Sequence, residues 1–319
     1  MQIILVAGGA GFIGSNLCRA LLDGGYKVIC IDNFITGNRD NIKSLQEDAQ
    51  FKFIEYDIVK DLSAIVSETS IDYIFHLASP ASPNKKSPRS YINYPIETLL
   101  ANSQGTYQLL EFAKRNRAKF LYASSSEIYG DPNVSPQKES YFGNVNPNGV
   151  RSVYDEGKRF GEAMVMAYVR KFDLDCRIVR IFNTYGPKMQ ADDGRVVSNF
   201  INQAIRGEPM TIYGTGKQTR SFCYVKDMVE GLKRAMFKDG ITGEVINLGN
   251  PDERTIEDLA KVIKKKIGSY SEIVFEELSE DDPKTRKPDI AKAEKLLQWK
   301  PEVSLEEGLS KTIDYFKSI

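Results

Sequence analysis

Residues 2 to 23 dictate the first unit of the fold. Gln2-Ile3-Ile4-Leu5-Val6-Ala7 is a short apolar run of the kind that forms a buried strand. Gly8-Gly9-Ala10-Gly11-Phe12-Ile13-Gly14 follows at once, and Leu17, Leu21 and Leu22 continue at helical spacing. Strand, glycine turn and helix in that order form a phosphate cradle. Glycines at 8, 11 and 14 let the backbone turn tightly and approach a pyrophosphate, which then sits at the positive end of the helix. A second strand at 27–31 ends at Asp32, 18 residues beyond Gly14. A carboxylate there accepts hydrogen bonds from the adenosine ribose hydroxyls and repels a 2′-phosphate, which favours NAD over NADP. Arg39 is the nearby cation that would pull the other way.

Strands and helices alternate downstream. Candidate strands lie at 2–7, 27–31, 51–55, 71–75, 119–123 and 175–181, with helices near 12–23, 39–46, 61–68, 96–116 and 152–172. This alternation predicts an α/β fold, a doubly wound parallel sheet of the Rossmann type covered on both faces. Shorter strands near 210–213, 244–247 and 272–276 then alternate with helices near 196–206, 226–237, 255–267 and 304–317. We expect a dinucleotide-binding domain over 1–182 and a smaller C-terminal α/β lobe, mainly for substrate, over 183–319, some segments of which return to the first domain. Connections at 124–150 and 182–195 exceed simple turns and are expected to build the site.

The 319 residues can bury roughly 75% of the unfolded surface. Lysine plus arginine and aspartate plus glutamate number 43 each, so no basic field points to nucleic acid or an anionic membrane. Cys18, Cys30, Cys176 and Cys223 lack metal-ligand spacing and read as buried free thiols in a reducing compartment. The lone histidine, His76, reads as structural, and no metal is expected. No apolar run reaches membrane-spanning length, and the first strand starts at residue 2, so a soluble cytoplasmic protein is expected.

The reactive groups gather at strand ends. Tyr154-Asp155-Glu156-Gly157-Lys158 puts a phenol and an ammonium four residues apart on one helical face. A cation about 4 Å from the phenol, at an effective dielectric of about 20, contributes roughly 4 kcal/mol, or about three pKa units. That would bring Tyr154 near neutrality as a base for a sugar or alcohol hydroxyl. Ser124-Ser125-Ser126-Glu127 follows a strand, where a hydroxyl can hold the same oxygen and Glu127 can handle a proton.

These residues resemble the extended short-chain dehydrogenase/reductases that modify nucleotide sugars. Within them the chain is most similar to the UDP-glucuronate decarboxylase (UDP-xylose synthase) group. The stretches that carry this are residues 76–83 (HLASPASP), 126–132 (SEIYGDP), 154–159 (YDEGKR), 180–187 (RIFNTYGP), 193–200 (DGRVVSNF), 218–222 (QTRSF) and 286–290 (RKPDI). They run almost end to end. The resemblance implies Ser125, Glu127, Tyr154 and Lys158 as catalytic residues. Cofactor contacts are expected from Gly8, Gly11, Phe12, Ile13, Gly14, Asp32 and Asn33, from Asp57 and Ile58, and from Leu77 and Ala78, with Tyr154 and Lys158. Substrate contacts are expected from Pro80, Ser82, Asn183, Arg195 and Asn199, and from Tyr213, Arg220 and Arg286. The two last arginines suit diphosphate oxygens. Three departures stand out: serine at 125 where threonine is common, Lys188 in place of an arginine, and a basic segment at 84–94 unlike the short apolar version of many relatives.

The implied reaction oxidises C4 of the sugar, releases carbon dioxide from the resulting β-keto acid, and reduces C4 again to give UDP-xylose. The alternatives are a UDP-sugar 4-epimerase or a 4,6-dehydratase on the same fold, and a non-catalytic NAD-sensing binding protein. Dehydratases usually carry an Asp-Glu pair where Ser126-Glu127 stands. The resemblance also implies a homodimer, the helices near 96–116 and 152–172 pairing as a four-helix bundle.

Overall fold

The computed structural model describes residues 1–62, 70–277 and 285–319. Seven strands form one parallel sheet: β1 (Ile3–Ala7), β2 (Lys27–Asp32), β3 (Phe51–Glu55), β4 (Tyr73–His76), β5 (Lys119–Ser125), β6 (Cys176–Ile181) and a late strand, Val245–Leu248. Their spatial order is β3-β2-β1-β4-β5-β6 and then Val245–Leu248, every neighbouring pair being parallel. This is the doubly wound order, and the chain reverses direction across the sheet between β1 and β4. The last strand comes from the C-terminal half, so that half completes the sheet as well as standing over it.

Burial explains the strands. β1 and β2 are almost wholly buried, as continuous apolar runs in a sheet covered on both faces must be. Two large apolar clusters lie on the two faces. One includes Leu17, Leu21, Val28, Met228 and Leu232, the other Leu5, Ile74, Leu109, Val165 and Ile178. The C-terminal half adds small pairings: β7 (Thr184–Tyr185), β8 (Met210–Tyr213), β9 (Thr219–Ser221), β10 (Cys223–Tyr224), β12 (Glu253–Thr255), β13 (Ile273–Glu276) and β14 (Thr285–Arg286), with β11 being Val245–Leu248. The expected helix near 61–68 falls mostly outside the described residues.

Between residues 95 and 116 the chain is helical with one interruption. Pro95–Leu100 passes through a wider π turn at Ala101–Gly105 into Thr106–Asn116. Such a turn redirects side chains. Here Asn102 donates to the Ser79 hydroxyl at 2.9 Å and accepts from the Tyr122 hydroxyl at 3.0 Å, while Thr106 meets His76 at 3.0 Å.

His76 is fully buried, and burial first, then the Lys158 charge, pushes its pKa down to about 3. The unfolded chain therefore takes up this proton near pH 6.5 and the folded chain only near 3, so stability is lost as the pH falls through that window. At pH 5 the loss from this group is about 2 kcal/mol relative to pH 7. Urea unfolding of wild type and His76→Asn should show their stability difference shrinking by that amount between pH 7 and pH 5. A difference that does not change with pH would contradict the assignment.

Candidate active site

One cavity of about 740 Å³ opens where the strands end and the C-terminal half stands over them. Its floor begins at the glycine turn. Gly8 has φ +81°, and a Cβ there would lie 2.6 Å from the Ala78 nitrogen, so only glycine lets the loops after β1 and β4 meet. A Cβ on Gly14 would lie 2.1 Å from the Gly8 carbonyl oxygen. Helix Phe12–Asp23 then starts with no side-chain cap and no acid in its first turn, which leaves its positive end bare for an anion. Gly8, Gly11, Phe12, Ile13, Gly14 and Leu77 all line the cavity.

Asp32 lies at the C-terminal end of β2, buried, its carboxylate accepting from the Ala10 and Phe34 amides at 3.0 and 2.9 Å. Burial nonetheless raises its pKa. Asn33 is exposed beside it, and Asp57 and Ile58 follow β3, the neighbouring strand. Arg39 is engaged elsewhere, paired with Glu55 at 2.7 Å and stacked over Phe34. The shapes and charges fit a dinucleotide: a glycine cradle that any Cβ would fill, a bare helix end, and a carboxylate at the next strand.

The catalytic candidates converge at the other end of the cavity. Ser125 ends β5, and Tyr154 and Lys158 project from helix Ser152–Phe172, all three on the cavity wall. Ser125 hydrogen-bonds the Tyr154 phenol, whose ring stacks on Tyr91 with centroids 5.0 Å apart. Lys158 donates to the Ala123 carbonyl at 2.8 Å and stands 5.7 Å from the Tyr154 ring.

The charge state corrects the expectation drawn from spacing. Burial pushes Tyr154 up to about 12, beyond what the Ser125 hydrogen bond offsets, and pushes Lys158 down to about 7. The helix brings the two groups together, but removal from water weakens the cation and disfavours the phenolate alike. Lys158 alone therefore does not bring Tyr154 to neutrality.

Among the described residues Glu127 pairs with two cations, and the Arg220 charge acts on it as well. Arg151 pairs with it directly, and Arg286 Nη2 lies 3.3 Å away. Burial raises the Glu127 pKa, yet Arg286 and then Arg151 outweigh it and hold the carboxyl at about 2. The loop that carries it is braced from beneath: Arg180 holds Glu162 at 2.8 Å, Ser124 donates to Glu162 at 2.6 Å, and Tyr129 donates to Asn247 at 2.8 Å.

The remaining substrate candidates separate into two groups. Ser82, Asn183, Arg195, Asn199, Tyr213 and Arg220 line the cavity. Arg195 is held by Asp193 at 2.5 and 2.7 Å, and Asn199 donates to the Gly194 carbonyl at 3.0 Å. Pro80 and Arg286 are buried behind the wall, Arg286 donating to the Ser126 carbonyl at 2.7 Å. Lys188 turns away from the cavity and donates to the Asn41 carbonyl at 2.8 Å. Sequence pattern does not single out Tyr91, Arg151 or Asn102. Arg151 precedes Tyr154 by three residues, one helical turn, which was the available signal; Tyr91 and Asn102 reach the site only through tertiary packing.

Residues 5–312 match the family model described as GDP-mannose 4,6 dehydratase. UDP-glucuronic acid decarboxylase 1 of Xenopus tropicalis is 49% identical over 314 residues, 98% of this chain and 72% of that protein. UDP-glucuronic acid decarboxylase 6 of Arabidopsis thaliana is 51% identical over 307 residues, 96% of this chain and 86% of that one. The crystal structure of UDP-glucuronic acid 4-epimerase from Bacillus cereus, in complex with UDP-glucuronic acid and NAD, superposes with a TM-score of 0.88 at 34% identity, covering 99% of each chain. Identity is thus well higher to the decarboxylases than to the epimerase, and the chain belongs to the UDP-glucuronic acid decarboxylase family of the extended short-chain dehydrogenase/reductases.

Proposed function

We propose that this protein decarboxylates UDP-glucuronate to UDP-xylose with NAD as a recycled cofactor. The observation that carries the reading is the meeting, at one end of the cavity, of Tyr154 and Ser125 with a carboxylate held between two arginines. Gly8 to Gly14 would hold the cofactor pyrophosphate, Asp32 and Asn33 its adenosine ribose, with Asp57 and Ile58 on that side, and Leu77, Ala78, Tyr154 and Lys158 its other end. Bound there, NAD would supply reversible two-electron chemistry at C4 of the sugar, and its positive charge would oppose the burial penalty on the Tyr154 phenolate.

Tyr154 takes the proton of the C4 hydroxyl and returns it at the end of the cycle. Ser125 donates a hydrogen bond to the same oxygen. With a ketone at C4, the carboxylate on C5 belongs to a β-keto acid. The bond from C5 to the carboxyl carbon breaks, carbon dioxide leaves, and the electron pair delocalises onto the C4 oxygen, where Ser125 and Tyr154 hold the charge. C5 must then gain a proton. Glu127, ionised at neutral pH, does not give one; it orients the sugar and a water that passes a solvent proton to C5, the hydroxide left behind being reprotonated from bulk water. The other substrate contacts fall to Ser82, Asn183, Arg195, Asn199, Tyr213 and Arg220 on the cavity wall, with Pro80 behind Ser82.

The second reading is a 4-epimerase, favoured by the likeness to the Bacillus cereus enzyme. A 4,6-dehydratase is disfavoured because Ser126 stands where an aspartate would. Purified protein incubated with UDP-glucuronate and NAD should release carbon dioxide and give UDP-xylose by NMR. UDP-galacturonate without carbon dioxide would support the epimerase instead.

The working unit in this proposal is a cytoplasmic homodimer. Four buried free thiols suit a reducing compartment, and no helix among the described residues is long and apolar enough to cross a membrane. Ile96, Leu99, Leu100, Tyr107 and Phe160 are exposed on the two helical segments expected to pair, and a shallow depression between Leu99 and Phe160 could receive a second copy. Sedimentation at micromolar concentration should give a dimer, and Leu99→Glu with Phe160→Glu should give a monomer. A monomeric wild type would overturn this part.

A further inference from the structure

The basic loop 84–90 after Ser82 has no part in the chemistry above. It is a closed loop, because the Tyr91 amide donates to the Ser82 carbonyl at 3.0 Å. It is pinned to the opposite half of the protein along residues 192–194. The Ser82 hydroxyl donates to the Asp193 carbonyl, the Ser87 hydroxyl to the Asp192 carbonyl at 2.5 Å, and the Asn84 amide to the Gly194 carbonyl at 3.3 Å. Arg89 pairs with the Asp192 carboxylate at 2.9 Å. Gly194, at φ +85°, permits this approach, since a Cβ there would lie 2.8 and 2.9 Å from the Cβ atoms of Asn84 and Ser87. The loop thus bridges the cavity mouth.

Its tip presents Lys86. The ammonium lies 3.1 Å from the Glu276 carboxylate and 5.7 Å from the centre of the Tyr213 ring. Lys86 lines the cavity with Thr211, Tyr213, Gln218 and Arg220. The Lys86 side chain is 72% exposed and that of Glu276 44%, so the pair is held weakly and exchanges at little cost. Glu276 ends β13, directly opposite Tyr213 of β8 in register, so one carboxylate and one ring mark the same rim. A nucleoside diphosphate entering here brings more negative charge than the single carboxylate it would displace, and the Tyr213 hydroxyl, which hydrogen-bonds the ammonium, keeps it at this rim.

We propose that Lys86 is a nucleotide-binding residue of this chain, exchanging Glu276 for the diphosphate of the bound UDP-sugar, so that the 84–90 loop sets substrate affinity. The inference rests on the UDP-sugar reading of the cavity. It is tested by calorimetric titration of the purified protein with UDP. Lys86→Ala should weaken UDP binding roughly fivefold, the size of one water-screened contact between unit charges near 4 Å, and Glu276→Ala should tighten it by freeing the lysine. Both differences should fade at high salt. The opposite signs are decisive, because both substitutions break the same ion pair. If Lys86 only clips the loop shut, the two variants weaken binding alike, and that result overturns the proposal, as does no change in either. UDP binding by the wild type with a silent Lys86 leaves the nucleotide-sugar reading standing; no UDP binding by the wild type overturns both.

Discussion

Tyr154→Phe is expected to lower kcat by about 100- to 10,000-fold, the usual worth of a positioned proton-transfer group. Binding of UDP and thermal stability should change little. The ring that stacks on Tyr91 is retained, and only the hydroxyl that meets Ser125 is lost. The loss should fall on the chemical step, because in this account the phenol both accepts the C4 proton and later steadies the C4 oxyanion. Steady-state kinetics beside UDP calorimetry separate the two effects. A variant with near-normal kcat would remove Tyr154 from the mechanism, and the binding-protein alternative would return.

Arg286→Ala is expected to cost about 3–5 kcal/mol of stability at neutral pH, because it removes a fully buried guanidinium and strips a cation from the partly buried Glu127 carboxylate. The pH dependence gives the sign. Against burial, Arg286 and then Arg151 hold the Glu127 pKa at about 2, below its ordinary 4.5, so this site adds stability above pH 4.5 that is lost as the pH falls toward 2. Arg286→Ala should flatten the stability profile across that window. Glu127→Gln combined with Arg286→Met should recover much of the stability without recovering activity, and a double-mutant cycle would show the coupling. If Arg286 instead gripped the diphosphate, the single variant would weaken UDP binding and leave the acid profile intact.

The parts of this architecture that were readable in advance are those set by local pattern. The strands at 51–55 and 210–213 and the helices at 12–23, 152–172 and 196–206 coincide with the structure, since each buries a periodic apolar face or run. Strands of two or three residues, such as Thr184–Tyr185 and Thr285–Arg286, carry no period and were not visible. Nor was the π turn at Ala101–Gly105, which aims Asn102 at Ser79. Tyr91 and Arg286 come to Tyr154 and Glu127 from distant parts of the chain, so only packing reveals those partnerships. The Tyr154–Lys158 spacing put both groups on one wall, yet spacing carries no information on burial, which shifts each group away from its charged form.

In the proposed cycle one sugar is oxidised at C4, decarboxylated and reduced again without leaving the site. UDP-glucuronate carrying deuterium at C4, incubated with the protein and a trace of NAD in ordinary water, tests it most directly by NMR. Carbon dioxide and UDP-xylose that retains deuterium at C4 are expected. Release of a 4-keto pentose, or UDP-xylose without the label, would contradict the closed cycle, and a labelled UDP-galacturonate without carbon dioxide would contradict decarboxylation itself.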